Sequence, residues 1–356
     1  MVSGGAARDH DRMKLGVNLV YQGAGPLAQA AEALGYSVAL APEGYRSDAP
    51  SLLGYVAGQT ERIALASGVM QIPGRSPAMA ALTAATLDSL SGGRFRLGLG
   101  VSNPDVSDGW YGVPFDHPLA RTREYVEIVR AALRGGPVRY DGHYHRLGVA
   151  GGAGAPLHLL TEPLRADLPI YLGAIGPKNL RLSGEIGDGW IGVFVSPSMV
   201  KNAVDELAAG RKQTGKGMDG FDVMPCLATS FADDPRQAAD VLRNQFVYLL
   251  GIGDPRRNFF CAVARQLGFG EAVADIHDRL HDGDREAAVA AVPLDLIEET
   301  SLIGSVDRVA GRMCQYAEAG VTTLGIMVSA AATTLDGRLS IVRDAAAALT
   351  RSGVGD

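Results

Sequence analysis

From Lys14 to Leu349, short apolar runs alternate with longer segments whose apolar positions recur at helical spacing. Leu15 to Val20 reads as a first strand, Pro26 to Leu34 as a helix closed by Gly35, and Ser37 to Ala41 as a second strand. Asp48 then caps a helix carrying Leu52, Leu53 and Val56. The clearest unit is Arg62 to Ser102, in which two β-rich runs flank a helix that ends on Gly92-Gly93. A strand, helix and strand in that length predict parallel pairing and a right-handed crossover. From Pro118 a helix presents Leu119, Val126, Val129 and Leu133, and Gly135-Gly136-Pro137 ends it. An irregular, Gly-rich stretch follows to Asp167. PIYLGAI and GWIGVF, either side of the helix NLRLSGEIG, give strands five and six; DVMPCLATSFA is the seventh, Thr322 to Val328 the eighth, and Leu335 to Leu349 a closing helix.

Eight strands alternating with helices predict a (β/α)8 TIM barrel, an α/β fold that needs about 250 residues. The 356-residue chain leaves room for insertions, and the charged, helix-rich span from Asp254 to Thr300 is too long for one barrel helix. The organisation expected is a disordered extension over 1–12, in which Met13 is a candidate start, then one barrel domain over 13–356 with a helical insertion at about 251–300. Small residues gather at predicted strand ends, in ASGVMQ and GLGVSN. Those are the ends at which α/β folds hold ligands, and bare backbone there suits the close approach of a flat ring.

Composition narrows the function. The net charge of −6 has no basic block, which excludes the electrostatic footprint of a nucleic-acid binder. Cys226, Cys261 and Cys314 are far apart with no CxxC pair, so neither a structural zinc nor a disulfide framework is expected. No apolar run approaches a membrane span, and the N-terminus has no apolar signal core, so a cytoplasmic protein is expected.

The sequence carries several candidate sites. In Gly173-Ala174-Ile175-Gly176-Pro177-Lys178-Asn179 a strand end leads into a helix begun at Pro177, with backbone N–H groups facing outward. Such a helix start seats a phosphate or merely water, and spacing alone leaves both open. His143 and His145 have no acid at metal spacing and read as a surface hairpin; no metal site is expected. Asp233-Asp234 read as a helix start, and Ser102 is not in a GxSxG elbow. Arg256 and Arg257 begin a predicted helix after a Gly-rich turn, where arginines are disfavoured; they hold an external anion or pair with Asp254 and nearby acids.

The segments SGVMQIPGRSPAMAALTAATLDSLSGGRFRLGLGVS, GWYGVPFDHPLARTREYVEIVR and IYLGAIGPKNLRLSGEIGDGW closely resemble the bacterial luciferase-like superfamily. FVYLLGIGDPRRNFFCAVARQLGFG with VPLDLIEETSLIG is most similar to its deazaflavin-dependent branch, including methylenetetrahydromethanopterin reductase. The resemblance implies an oxidoreductase that passes a hydride between coenzyme F420 and a small organic substrate. Reduced FMN with oxygen, in a monooxygenase, is the alternative, and a catalytically quiet flavin-binding protein a third reading. It places Ser67-Gly68-Val69-Met70 as the bulge under the ring, with a cis peptide at Gly68–Val69, and adds Gly100, Val101 and Ser102 to the cofactor site. It favours phosphate at Gly176 and puts Arg256 and Arg257 at the edge of the cofactor cleft. Glu43, Tyr45 and Trp110 are the implied catalytic, pocket-shaping residues. Gly44 stands where many relatives carry a histidine, and Asn103 near the catalytic glutamate of the sugar-oxidising branch, so a sugar-phosphate dehydrogenase mechanism is not expected. A homodimer is implied, with the small-residue helix face of Ala78, Ala80, Ala81, Ala84 and Ala85 as a candidate interface, although the same face suits packing on its own barrel.

Overall fold

The computed structural model describes residues 12–44, 47–152, 154–161 and 163–355. Eight parallel strands close on themselves: β1 (Lys14–Asn18), β2 (Val38–Ala41), β3 (Ala64–Ser67), β4 (Phe95–Gly100), β5 (Ile170–Gly173), β6 (Gly189–Val193), β7 (Asp222–Phe231) and β8 (Thr323–Met327). β8 pairs with β7 and with β1, the latter in register from Lys14↔Thr323 to Asn18↔Met327, so no barrel edge is left open. The expected (β/α)8 TIM barrel is the fold observed.

Local chemistry explains the helix boundaries. Asp48 accepts from Ser51 N at 2.9 Å, and Ser76, Ser196 and Thr334 cap the helices Pro77–Leu90, Pro197–Gln213 and Leu335–Ser352 in the same way. Gly92 and Gly93 take φ of 63° and 84°, left-handed values that end the helix before β4 at no steric cost. The residues around His143 form the expected hairpin, Tyr140–Asp141 against Arg146–Leu147, tied down where Glu124 accepts from the backbone N–H groups of residues 143, 144 and 145.

Side chains alternate strictly along the strands. Leu15, Val17, Leu97 and Leu99 join the core between barrel and helices, whereas Val38, Leu40, Ala66, Tyr171, Ile191, Met224 and Cys226 fill the barrel interior. The interior is narrow: a Cβ on Gly98 would run into the Ser67 carbonyl. At the amino-terminal end Arg96 and Tyr171 both donate to Asp222, at 3.2 and 2.9 Å, and plug the barrel floor.

Two expectations need correction after β7. The helical insertion begins at Pro235, not near 251, and includes Pro235–Asp240 and Arg243–Leu250 ahead of the expected span. It has its own core around Leu242, Phe246, Leu250, Cys261 and Ile276, joined to the barrel through Phe194 and Ile303. It returns through a further parallel strand, Ser301–Gly304, paired with Ala228 to Phe231 of β7. Four residues, Ser-Leu-Ile-Gly, directly after a helix carry no periodicity of their own, so the sequence hid that strand.

Candidate functional site

The carboxyl ends of β3, β4 and β5 converge on one side chain. The Gly68–Val69 peptide is cis, and Val69 lies against the bare α-carbons of Gly100 and Gly173: a Cβ there would stand 2.6 and 3.5 Å from Val69 Cγ2. Gly68 serves a different neighbour, since its Cβ would meet Leu40 at 3.2 Å, inside the barrel. Val69, Val193 and Met327, partly buried, sit on the interior cluster at the barrel mouth. Together with Gly173 they make an apolar floor on which a planar ring can lie.

Two side-chain oxygens at this mouth have no hydrogen-bond partner among the described residues. Asn18 Oδ1, at the carboxyl end of β1, and Gln71 Oε1, just past the bulge, are both buried acceptors without a donor. Such orphans are costly and call for a ligand N–H or an ordered water. Sequence reasoning missed Asn18, Val193 and Met327; the inward parity of strands one, six and eight was the available signal. Beside Asn18, burial pushes the Cys226 thiol up to about 12, so it is no nucleophile.

Helix Pro177–Ile186 starts on Gly176, which offers no side-chain cap and whose Cβ would meet nothing within 4 Å. The first turn bonds only from Leu180 N to Gly176 O, leaving the N–H groups of Lys178 and Asn179 without intrahelical acceptors in open space. An anion is stabilised there by those donors and by the helix dipole.

Other expected site residues have different neighbours. Ser67 is fully buried and stitches β3 to β4, donating to Gly98 O at 2.8 Å and accepting from Gly98 N at 2.9 Å. Met70 is fully buried in the helix–strand core, and Ala174 is buried with its carbonyl on Trp190 Nε1 at 2.8 Å. These three hold the strand ends rather than face the mouth. Ile175 is exposed beside Gly176. Val101 follows the outward parity of Leu97 and Leu99 and lines a cavity on the helix side. Ser102 takes a left-handed φ of 64°, a strained value for a serine of the kind found at functional sites.

Glu43 is a locked carboxylate. It receives Arg75 through two hydrogen bonds of 2.9 and 2.7 Å and the backbone N–H groups of Gln71 and Ala49 at 2.9 and 3.2 Å. Burial works against the Arg75 charge, but Glu43 outweighs it and raises the guanidinium pKa. With every lone-pair direction taken, Glu43 fixes the loops after β2 and β3 and is not placed as a proton donor. Arg75, 32 residues away, could not be foreseen as its partner. Tyr45 lies outside the described residues. Trp110 is 66% exposed, in the turn after the short helix Pro104–Ser107 that Asn103 caps.

Arg256 and Arg257 do not begin a helix. They lie in a turn, and Asn258 caps Phe259–Gln266 by accepting from Phe260 N and Cys261 N at 2.8 and 3.2 Å. Arg256 pairs with Asp254 at 2.8 Å, and Arg257 reaches Asp105 at 3.5 Å. Their charge is answered locally, which removes the reason to expect an external anion. Ala80, Ala81, Ala84 and Ala85 are fully buried on their own barrel; the outer face of that helix carries Met79 and Leu82 instead. Among the described residues no group of three or more His, Cys, Asp or Glu could hold a metal ion, and no helix is long and apolar enough to cross a membrane.

Comparison with known proteins agrees with this architecture. The luciferase-like monooxygenase family model matches residues 5–323. A Mycobacterium tuberculosis protein, provisionally assigned as a coenzyme F420-dependent oxidoreductase, is 38% identical over 333 residues, covering 90% of this chain and 96% of the relative. The 5,10-methylenetetrahydromethanopterin reductase of Archaeoglobus fulgidus is 31% identical over 76% of this chain and 79% of its own. The structure of the coenzyme F420-dependent tetrahydromethanopterin reductase from Methanopyrus kandleri superposes with a TM-score of 0.81 at 25% identity, covering 94% of this chain and 98% of that one. The chain is therefore an oxidoreductase and belongs to the luciferase-like monooxygenase family.

Proposed function

We propose that the protein binds coenzyme F420 at the mouth of the barrel and transfers a hydride between it and a small organic substrate. The observation that carries this reading is the joint presence, on adjacent strand ends, of a bare apolar floor and an uncapped helix N-terminus. The similarity to F420-dependent relatives supports the deazaflavin over FMN.

The residues fit that group. Val69, Val193 and Met327 would carry the ring, Asn18 and Gln71 would accept from its N–H edge, and Lys178 N and Asn179 N would hold its phosphate. When bound, the deazaflavin supplies the hydride chemistry, and the protein's part is to bind, orient and exclude water. The apolar floor keeps water from one face, and the Glu43–Arg75 pair fixes the loops that border the other.

Titration of the purified protein with F420 and with FMN under identical conditions tests the proposal. F420 is expected to bind at least tenfold more tightly, and reduced F420 to be oxidised on addition of substrate. Tighter FMN binding with oxygen consumption replaces the proposal with a monooxygenase; binding of either without turnover makes this a quiet flavin-binding protein.

A further inference from the structure

Away from the barrel mouth, helix Leu294–Thr300 of the insertion and helix Val306–Glu318 border a cavity of about 360 Å³. The strand Ser301–Gly304 forms its back. Ser301 and Ile303, on one face of that strand, both line it, whereas Leu302 points the other way into the main core. Ser301 pairs with Ala228, which pairs with Met327, so the cavity stands two strands away from the floor of the mouth. At about 30 Å³ of liquid per molecule, the space exceeds what one bridging water fills.

Two residues of this wall carry buried polar atoms without a hydrogen-bond partner among the described residues, Ser301 Oγ and Arg312 Nε. Ser301 is only 1% exposed. The rest of the Arg312 guanidinium is held: Nη1 donates to Gln315 Oε1 at 2.7 Å, and Nη2 to the carbonyls of Glu298 and Glu299 at 3.2 and 2.8 Å. Its Nε–H is thereby fixed as an unmet donor, and buried donors of this kind are costly without an acceptor. Gly311 adds an independent sign. It lies inside helix Val306–Glu318 and lines the cavity, where a glycine costs helix stability relative to alanine. Yet a Cβ on it would meet nothing within 4 Å, so no packing within the protein requires the bare position.

The charges of the wall define the occupant. Glu298, Glu299 and Asp307 face Arg308 and Arg312. Arg308 donates to one oxygen of Glu298 at 2.9 Å, and Asp307 accepts from Arg351, outside the wall, at 2.6 Å. Glu299 receives only Arg312, at 3.4 Å. A simple anion would be repelled by three carboxylates, and a simple cation would leave the Arg312 Nε–H unmet. We propose that the cavity binds a small zwitterion of the α-amino acid type. Its carboxylate accepts from Ser301 Oγ–H and Arg312 Nε–H, and its ammonium donates to the second oxygens of Glu298 and Glu299. This assignment does not rest on the hydride-transfer reading.

The test is calorimetric titration of the purified full-length protein with L-glutamine, with 4-carbamoylbutanoic acid, which lacks the ammonium, and with 4-aminobutanamide, which lacks the carboxylate. Glutamine is expected to bind with a dissociation constant of about 1 mM or below, and each of the other two at least about tenfold more weakly. Ser301→Ala removes one deep donor and should weaken glutamine binding about tenfold. Because that hydroxyl has no partner within the protein, its melting temperature should not fall, which separates a ligand contact from a structural one. Gly311→Leu, which introduces a strong helix former and fills the space, should raise the melting temperature and abolish binding. No binding of glutamine at millimolar concentration would mean that water alone meets these groups and would overturn the proposal. Equal affinity for the acid or the amine, or unchanged affinity in both variants, would do the same.

Discussion

Glu43 and Arg75, from the loops after β2 and β3, are joined side by side with 4% and 16% of their side chains exposed. A pair this buried is costly to break, because the remaining charge is stranded. Glu43→Gln should therefore destabilise the protein by about 3 kcal/mol, measured by urea denaturation. The double variant Glu43→Gln, Arg75→Met should recover part of that loss. If Glu43→Gln instead unfolds like the wild type and loses only turnover, the carboxylate is an acid or base after all.

Gly100 and Gly68 should respond differently to a methyl group. A Cβ on Gly100 would press on Val69 Cγ2 at 2.6 Å, displacing the centre of the floor, whereas on Gly68 it would meet Leu40 at 3.2 Å. We expect Gly100→Ala to weaken cofactor binding by about tenfold or more while the protein stays folded. Gly68→Ala should act mainly on melting temperature, through barrel packing. Equal affinities for Gly100→Ala and wild type would show that Val69 does not support the ring.

Removing Arg256 and Arg257 together should leave F420 affinity within about threefold of wild type and its salt dependence unchanged, since exposed pairs of this kind contribute little. A large loss with a shallower salt dependence would return the pair to the cofactor site.

The outer face of helix Pro77–Leu90 carries Met79 at 52% and Leu82 at 40% exposure. A homodimer through this face is expected. Met79→Glu with Leu82→Glu should halve the mass seen by sedimentation at micromolar concentration, and a wild-type monomer would refute the expectation.

Glu32 is expected to contribute to acid stability at a distance from the site. Burial raises its pKa, but hydrogen bonds from the backbone N–H groups of Ile63, Arg62 and Glu61 together outweigh that and lower it. A folded-state pKa below the unfolded value means stability that is present above the unfolded pKa of 4.5 and lost as pH falls through the folded value. Glu32→Gln should thus lower stability near pH 7 and flatten its acid dependence below pH 4.5; an unchanged acid limb would show that the three bonds carry no linkage.

The sequence by itself determined the order of the barrel. Period-two strands, helix caps such as Asp48 and terminators such as Gly92-Gly93 are local, and each acts through a few neighbouring residues, so the eight strands and the glycine-bearing ends of β3, β4 and β5 were legible. The helix start at Pro177 was legible for the same reason. Tertiary structure alone decided which way each side chain faced: Met70 turned into the core, Val101 outward, and Asn18, Val193 and Met327 toward the mouth. It also decided partners far apart in the chain, Glu43 with Arg75 and Arg257 with Asp105, because charge pairing depends on distances through space that spacing along the chain does not encode. The strand Ser301–Gly304 belongs with these, since four residues become a strand only when the carboxyl end of β7, which extends past its pairing with β6, supplies their hydrogen bonds.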